Sequence, residues 1–350
     1  GELSYTEYSN LQDAFDEATN GDRLELVANA PLYYPVTNDK TVTLDMNGYT
    51  ISTNKPITNT GNITIKNTSD KVSEIKTSSA MTLITNAGII EFDKINLRNT
   101  STSYYVLRST GEAKLTELRV NSVYGINSTN KLTINNSDIS ASRTAIESSG
   151  ELTINEGTYS GGSYSIYSDT SRNVNVKNAT LSGTFYNSGY NRTNVETTII
   201  NGELQNRYST LTVTDCTMNR DVSNTAGNVT INVSRINDSI QNSGTMKILE
   251  STVNGQSNDG ISNSGNLTIK DSTVNLKSTY YTYNYTFTAV SNSGTLTLDN
   301  TEYNYNKEDS YSHVVNSIST TGTLNIINGS KVVATNITGV NGTVRAIYAS

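Results

Sequence analysis

Apolar residues along this chain come in short pairs with one polar residue between them, and the pairs recur about every twenty residues. Between Asn228 and Gly294 the pattern is nearly verbatim three times: NVTINVSRINDSIQNSG, TMKILESTVNGQSNDGISNSG and NLTIKDSTVNLKSTYYTYNYTFTAVSNSG. Each unit opens on an alternating pair, as at Leu132/Ile134, Leu152/Ile154, Val229/Ile231 and Leu267/Ile269. A second apolar position follows, at Ile139, Leu181, Met218, Ile236, Val253 and Val274. A third lies four places before a glycine-type turn, at Ile57, Ile84, Leu107, Ile126, Ile146, Ile166, Phe185, Ile240, Ile261, Val290 and Ile318. Alternation at period two predicts half-buried strands, so each unit holds three short strands with one inward face apiece.

Repetition at this period marks a solenoid, in which each unit covers the open face of its neighbour. Helical repeats are excluded because the apolar period is two. The leucine-rich consensus, the G-G-x-G-x-D calcium repeat and the strict hexapeptides of a left-handed β-helix are all missing. The units instead vary from 17 residues (211–227) to 29 (266–294), with the loops absorbing the difference. Short constant strands joined by variable loops predict a right-handed parallel β-helix. About fourteen coils at about 4.8 Å each would give one elongated domain on the order of 65 Å long.

The N-terminus departs from the pattern. Ser9 with Gln12 forms a capping box, Leu11, Ala14, Phe15 and Ala18 share one helical face, and Asn20-Gly21 stops the run. This predicts a helix over about 9–19 that caps the open end of the solenoid. A first strand (21–29) and a proline-bounded loop (30–36) complete a cap over 1–38, with the β-helix over 39–350. Pro31, Pro35 and Pro56 all precede the regular array, as ladder hydrogen bonding requires. At the other end AIYAS stops in mid-unit, which leads us to expect a longer parent protein.

The units resemble those of the pectate-lyase-like superfamily, and most closely the Asn/Thr/Ser-rich β-helices of bacterial surface proteins, over nearly the whole chain. That resemblance implies an adhesin-like, extracellular module, Gram-positive in origin, binding a host or environmental glycan or matrix glycoprotein as a monomer within a longer protein. It equally admits a polysaccharide lyase or glycoside hydrolase, or a passive stalk, because the architecture hosts all three.

Composition narrows the chemistry. Many of the 47 asparagines fall just before the turn glycine, as at Asn59, Asn86, Asn242, Asn263 and Asn292, where stacked amides can hydrogen-bond from coil to coil. Net charge of −7 and pI near 4.9, with no basic cluster, argue against nucleic-acid and anionic-membrane partners, and no segment is apolar enough to span a bilayer. A single cysteine, Cys216, rules out a disulfide framework, which suits a Gram-positive surface, and reads as a small turn residue. No cofactor motif or metal-ligand cluster is present, so neither is expected. The one histidine, His313, makes a Ser-His-Asp arrangement a remote prospect.

Two sets of residues carry candidate function. The position after the first strand reads Asn136, Glu156, Asn178, Asp215, Glu250, Asp271, Asn300 and Asn328. Glu250 and Asp271 would lie about 5 Å apart on adjacent coils, a spacing that retaining glycosidases use. Since Asn, Asp, Glu and even Val233 interchange there, a polar corner explains the column without catalysis, and we expect no enzyme. Tyrosine is more suggestive: there are 22, against four Phe and no Trp. They gather in the loops 275–288 and 302–313, as Tyr280, Tyr281, Tyr283 and Tyr285, then Tyr303, Tyr305 and Tyr311. Rings with a hydroxyl edge suit sugar faces and protein surfaces, so these seven are the expected ligand contacts. The alternative is that they pack on the solenoid.

Overall fold

A computed structural model describes residues 5–255, 260–278, 286–308, 314–338 and 343–349. The chain is an all-β parallel β-solenoid with one short helix, and its number of turns differs slightly from the expected fourteen. It divides into two compact units, residues 1–172 and 173–350, each built the same way internally.

Among the described residues a turn carries three strand segments, which in places merge into one long strand such as Lys131–Ser148, and within each unit each segment pairs in parallel register with its copies in adjoining turns. In the first unit Thr41–Asp45 pairs with Asn62–Lys66, which pairs with Ile89–Asp93. In the second, Thr210–Thr214 pairs with Asn228–Asn232, then Thr245–Leu249, then Asn266–Lys270. The alternating pairs fall as predicted: Leu132 and Ile134, Leu152 and Ile154, Val229 and Ile231, and Leu267 and Ile269 are all buried, with the Thr between them turned outward. Burying an aliphatic side chain contributes about 1.5–3 kcal/mol, and four per turn, as Met246, Ile248, Val253 and Ile261, make the thin continuous core that a solenoid needs.

The helix is shorter than the sequence predicts, Leu11–Glu17, and its N-cap is Asn10 rather than Ser9, because the Asn10 carboxamide accepts from the Asp13 amide. Leu11, Ala14, Phe15 and Ala18 are its buried face, as expected. Gln12 does not close a capping box. It pairs with the backbone of Thr37, donating to the carbonyl at 3.2 Å and accepting from the amide at 2.7 Å, much as a further strand would. Lys40 closes the other end by donating to the carbonyls of Asp16 and Ala18. Strands pair from Arg23 onward: Arg23–Glu25, Ala30–Leu32 and Val36–Asn38 already match those of the next turn.

Three polar columns fix the corners. The first is a buried amide ladder before the turn, which passes to serine at Ser109: Asn38 donates to Asn59, Asn59 to Asn86, and in the second unit Asn224 to Asn242, Asn242 to Asn263 and Asn263 to Asn292, at 2.7–2.9 Å. The glycine after it is required by close approach, since a Cβ on Gly265 would sit 2.1 Å from the Gly244 carbonyl oxygen of the turn before. A second column is a hydroxyl ladder: Ser234 N–H donates to Ser251 Oγ and Ser251 N–H to Ser272 Oγ. Cys216 occupies one rung of it, receiving Thr198 N–H on Sγ, and burial pushes its thiol up to about 11.

The third column holds the left-handed corners. Asn136, Glu156, Asn178, Asp215, Val233, Glu250, Asp271, Asn300 and Asn328 all have φ between +43° and +65°. Asn and Asp enter this region most readily and a β-branched residue is an outlier there, so Val233, at φ +49° and half exposed, is strained. Val233→Asn is expected to raise stability by about 1 kcal/mol in urea titration. No gain would mean that the corner imposes no such strain.

Candidate binding face

The structure separates the residues singled out from the sequence. Tyr280, Tyr281, Tyr283, Tyr285, Tyr311 and His313 lie outside the described residues. Tyr303 and Tyr305 are 1% exposed, inward in register with Val274 and Leu276 of the turn before. The Tyr303 hydroxyl donates to the Ser317 carbonyl, and the Tyr305 ring stacks on Phe287. These two are core residues, which corrects their assignment as ligand contacts: alternation places them on the buried side of a strand that extends through Glu302–Glu308. Glu250 and Asp271 stand on consecutive left-handed corners, and one Asp271 oxygen is taken up by Asn300 Nδ2 at 2.7 Å. Corner geometry therefore accounts for the acids in that column.

A different group of polar and aromatic side chains gathers on the third strands of the first unit. Tyr105, Tyr124, Thr144 and Tyr164 are in register on successive turns, two places before the buried aliphatic column. Arg108, Asn127, Glu147 and Tyr167 are in register one place after it. Parallel pairing thus stacks like positions, and turns at this corner carry tyrosine where many elsewhere carry small residues. At Tyr124 a register shift between Ser122 and Tyr124 redirects the chain, and Gly125 permits it: a Cβ there would sit 2.2 Å from the Ala145 carbonyl oxygen.

The side chains are knit together. The Tyr105 and Tyr124 rings lie 5.2 Å apart at 54°, and those of Tyr164 and Tyr167 are edge-on at 5.3 Å. Arg143 lies over the Tyr124 ring at 5.8 Å and donates to its hydroxyl at 3.2 Å. Tyr105 donates to a Glu147 carboxylate oxygen across two turns. Burial first, and then Glu147, hold the Tyr105 hydroxyl well above the usual tyrosine range, while Arg108 pulls the other way. Tyr105 therefore stays a donor at all ordinary pH.

Half-buried rings held by ion–dipole contacts are rigid, and Tyr104, Arg108 and Arg143 remain exposed beside them. Such a face offers flat apolar surface, hydroxyl edges and two guanidinium groups in one place, which is what recognition of a polyhydroxylated ligand needs. Sequence reading by loop length missed it. The available signal was spacing: in YYVL (104–107), VYGI (123–126) and SYSI (163–166) a tyrosine stands two before the aliphatic position.

Among the described residues no group of three or more His, Cys, Asp or Glu could hold a metal ion, and no helix is long and apolar enough to cross a membrane. No protein-family model, curated protein or solved structure matches the chain.

Proposed function

We propose that this chain is the ligand-binding region of a bacterial surface adhesin, recognising a host or environmental glycan or glycoprotein and displayed at the cell surface within a longer protein. The observation that carries the reading is the face of Tyr104, Tyr105, Tyr124, Arg108, Arg143 and Glu147: rigid, partly exposed and mixed in chemistry, on a scaffold whose other turns use mostly Thr, Ser and Asn outward. The resemblance to bacterial surface β-helices supplies the cellular setting, and the Gram-positive origin is part of the same proposal.

The test is an immobilised glycan and matrix-protein array probed with the chain, run beside a reducing-sugar and unsaturated-product assay. We expect binding without product, weakened about tenfold, or 1.4 kcal/mol, in a Tyr104→Ala/Arg143→Ala double variant. Both side chains are exposed, so the melting temperature should not change. Product release would replace this reading with a polysaccharide-cleaving one. Silence in both assays would favour a stalk.

A further inference from the structure

The second unit carries its own aromatic surface, built on a different corner. Tyr190 lies in the turn between the strands Thr184–Asn187 and Arg192–Glu196, and Tyr208 in the equivalent turn between Leu204–Asn206 and Thr210–Thr214. Later turns at this corner, 225–227, 243–244, 264–265 and 293–294, contain only Thr, Ala, Ser and Gly. The two rings stack nearly parallel, with centroids 5.0 Å apart and planes 11° apart, close to the separation of the turns that bear them. Arg207 lies 5.1 Å from the Tyr208 centroid and donates to the Tyr186 hydroxyl at 3.4 Å. Gln205, in register with Tyr186, donates to the Glu203 carboxylate.

A stacked ring has two faces, and Tyr208 covers one face of Tyr190. Tyr190 is nevertheless 77% exposed, so its other face is open to solvent. Packing gives no reason for a ring there, because the later turns at this corner close with small residues alone. We propose that Tyr190, backed by Tyr208, is a stacking platform for the C–H face of a neutral pyranose with equatorial substituents, such as a β-linked glucose or N-acetylglucosamine unit. Equatorial hydroxyls leave the axial C–H bonds of one face free to meet a ring, and they point sideways toward a polar rim. The polar groups of the turn that bears Tyr208 are Arg207, Gln205 and Glu203, one positive and one negative with an amide between them in sequence, a balance that suits an uncharged sugar.

The inference shares with the proposed function only the premise that the chain binds glycan, and uses none of the residues of the first face. Its test is a calorimetric and saturation-transfer NMR titration of the whole chain with cellohexaose and chitohexaose. We expect one of the two to bind, Tyr190→Ala to weaken it by at least about tenfold, and Tyr190→Phe to hold it within about twofold, since the ring and not the hydroxyl makes the contact. Neither substitution should move the melting temperature. Absence of binding to both oligosaccharides, or equal binding by Tyr190→Ala, overturns the platform. Loss of binding in Tyr104→Ala/Arg143→Ala with Tyr190→Ala unaffected would also overturn it while leaving the first face standing. The reverse pattern would establish the platform and remove the first face.

Discussion

Asn242→Ala is expected to destabilise the second unit by about 3 kcal/mol, whereas Asn237→Ala, one strand away, should cost less than about 0.5 kcal/mol. The residues are chemically identical and both sit in amide ladders, so the contrast isolates burial. Asn242 is 2% exposed, accepts from Asn224, and donates to Asn263 and to the carbonyls of Gly244 and Asn266. Truncation takes the donor away from the buried Asn263 oxygen and leaves a void where the carboxamide was. An unsatisfied buried polar group costs about 1–3 kcal/mol before any cavity is counted. Asn237 belongs to the outward ladder that joins Asn219 and Asn254, where water replaces a lost amide. Urea titration of both variants measures the difference, and equal costs would show that the inner ladder is not the stabilising one.

The second large effect concerns Asp45, the buried carboxylate of the first unit. Its side chain is 0% exposed, yet it receives Arg23 Nη2 at 2.7 Å, Thr68 Oγ1 at 2.7 Å, and the amides of Asn47 and Thr68. Burial pushes its pKa up, but the hydrogen bonds from Thr68, Asn47 and Arg23 together outweigh it, and the net shift is downward from 3.8. A folded-state pKa below the unfolded one means that the carboxylate contributes stability at and above neutral pH. That contribution falls away as pH drops below about 4 and is gone once the folded-state group protonates. Asp45→Asn should therefore cost about 3 kcal/mol at pH 7, since hydrogen bonds to a charged group contribute about 1.5–3 kcal/mol and the amide cannot accept on both sides. At a pH below the folded-state pKa the cost should be smaller than at pH 7. Parallel urea titrations at the two pH values decide it; a cost independent of pH would mean that shape rather than charge holds the site.

The fold was legible because the sequence repeats its physics. Leu267 and Ile269 bury as their alternation with Thr268 says they should, and the Asn263–Asn292 amide ladder follows from an asparagine held at one place in successive turns of the second unit. The helix face was legible for the same reason, although its cap was displaced by one residue, from Ser9 to Asn10, since two capping residue types stood side by side. The acidic column was legible as a polar corner, and the backbone dihedrals add that Glu250 and Asp271 are left-handed there. Tyr303 and Tyr305 misled because an extended strand with alternate tyrosines and a tyrosine-rich loop are spelled the same way. The face around Tyr124 was hidden for the opposite reason. It is assembled from residues about twenty apart, none of them conspicuous alone, and only in-register stacking makes them neighbours.

That stacking also separates length from register. Asn242 and Asn263 are 21 residues apart and Asn263 and Asn292 are 29 apart, yet each pair is joined by one amide hydrogen bond, at 2.8 and 2.7 Å. Of the eight additional residues, six lengthen the second and third strands and two fall between them, and the ladder on either side is unchanged. The corner therefore works as a graft site: a foreign peptide spliced in there would be displayed at a fixed height on the solenoid, and several such corners could carry different peptides at a spacing set by the backbone rather than by the inserts.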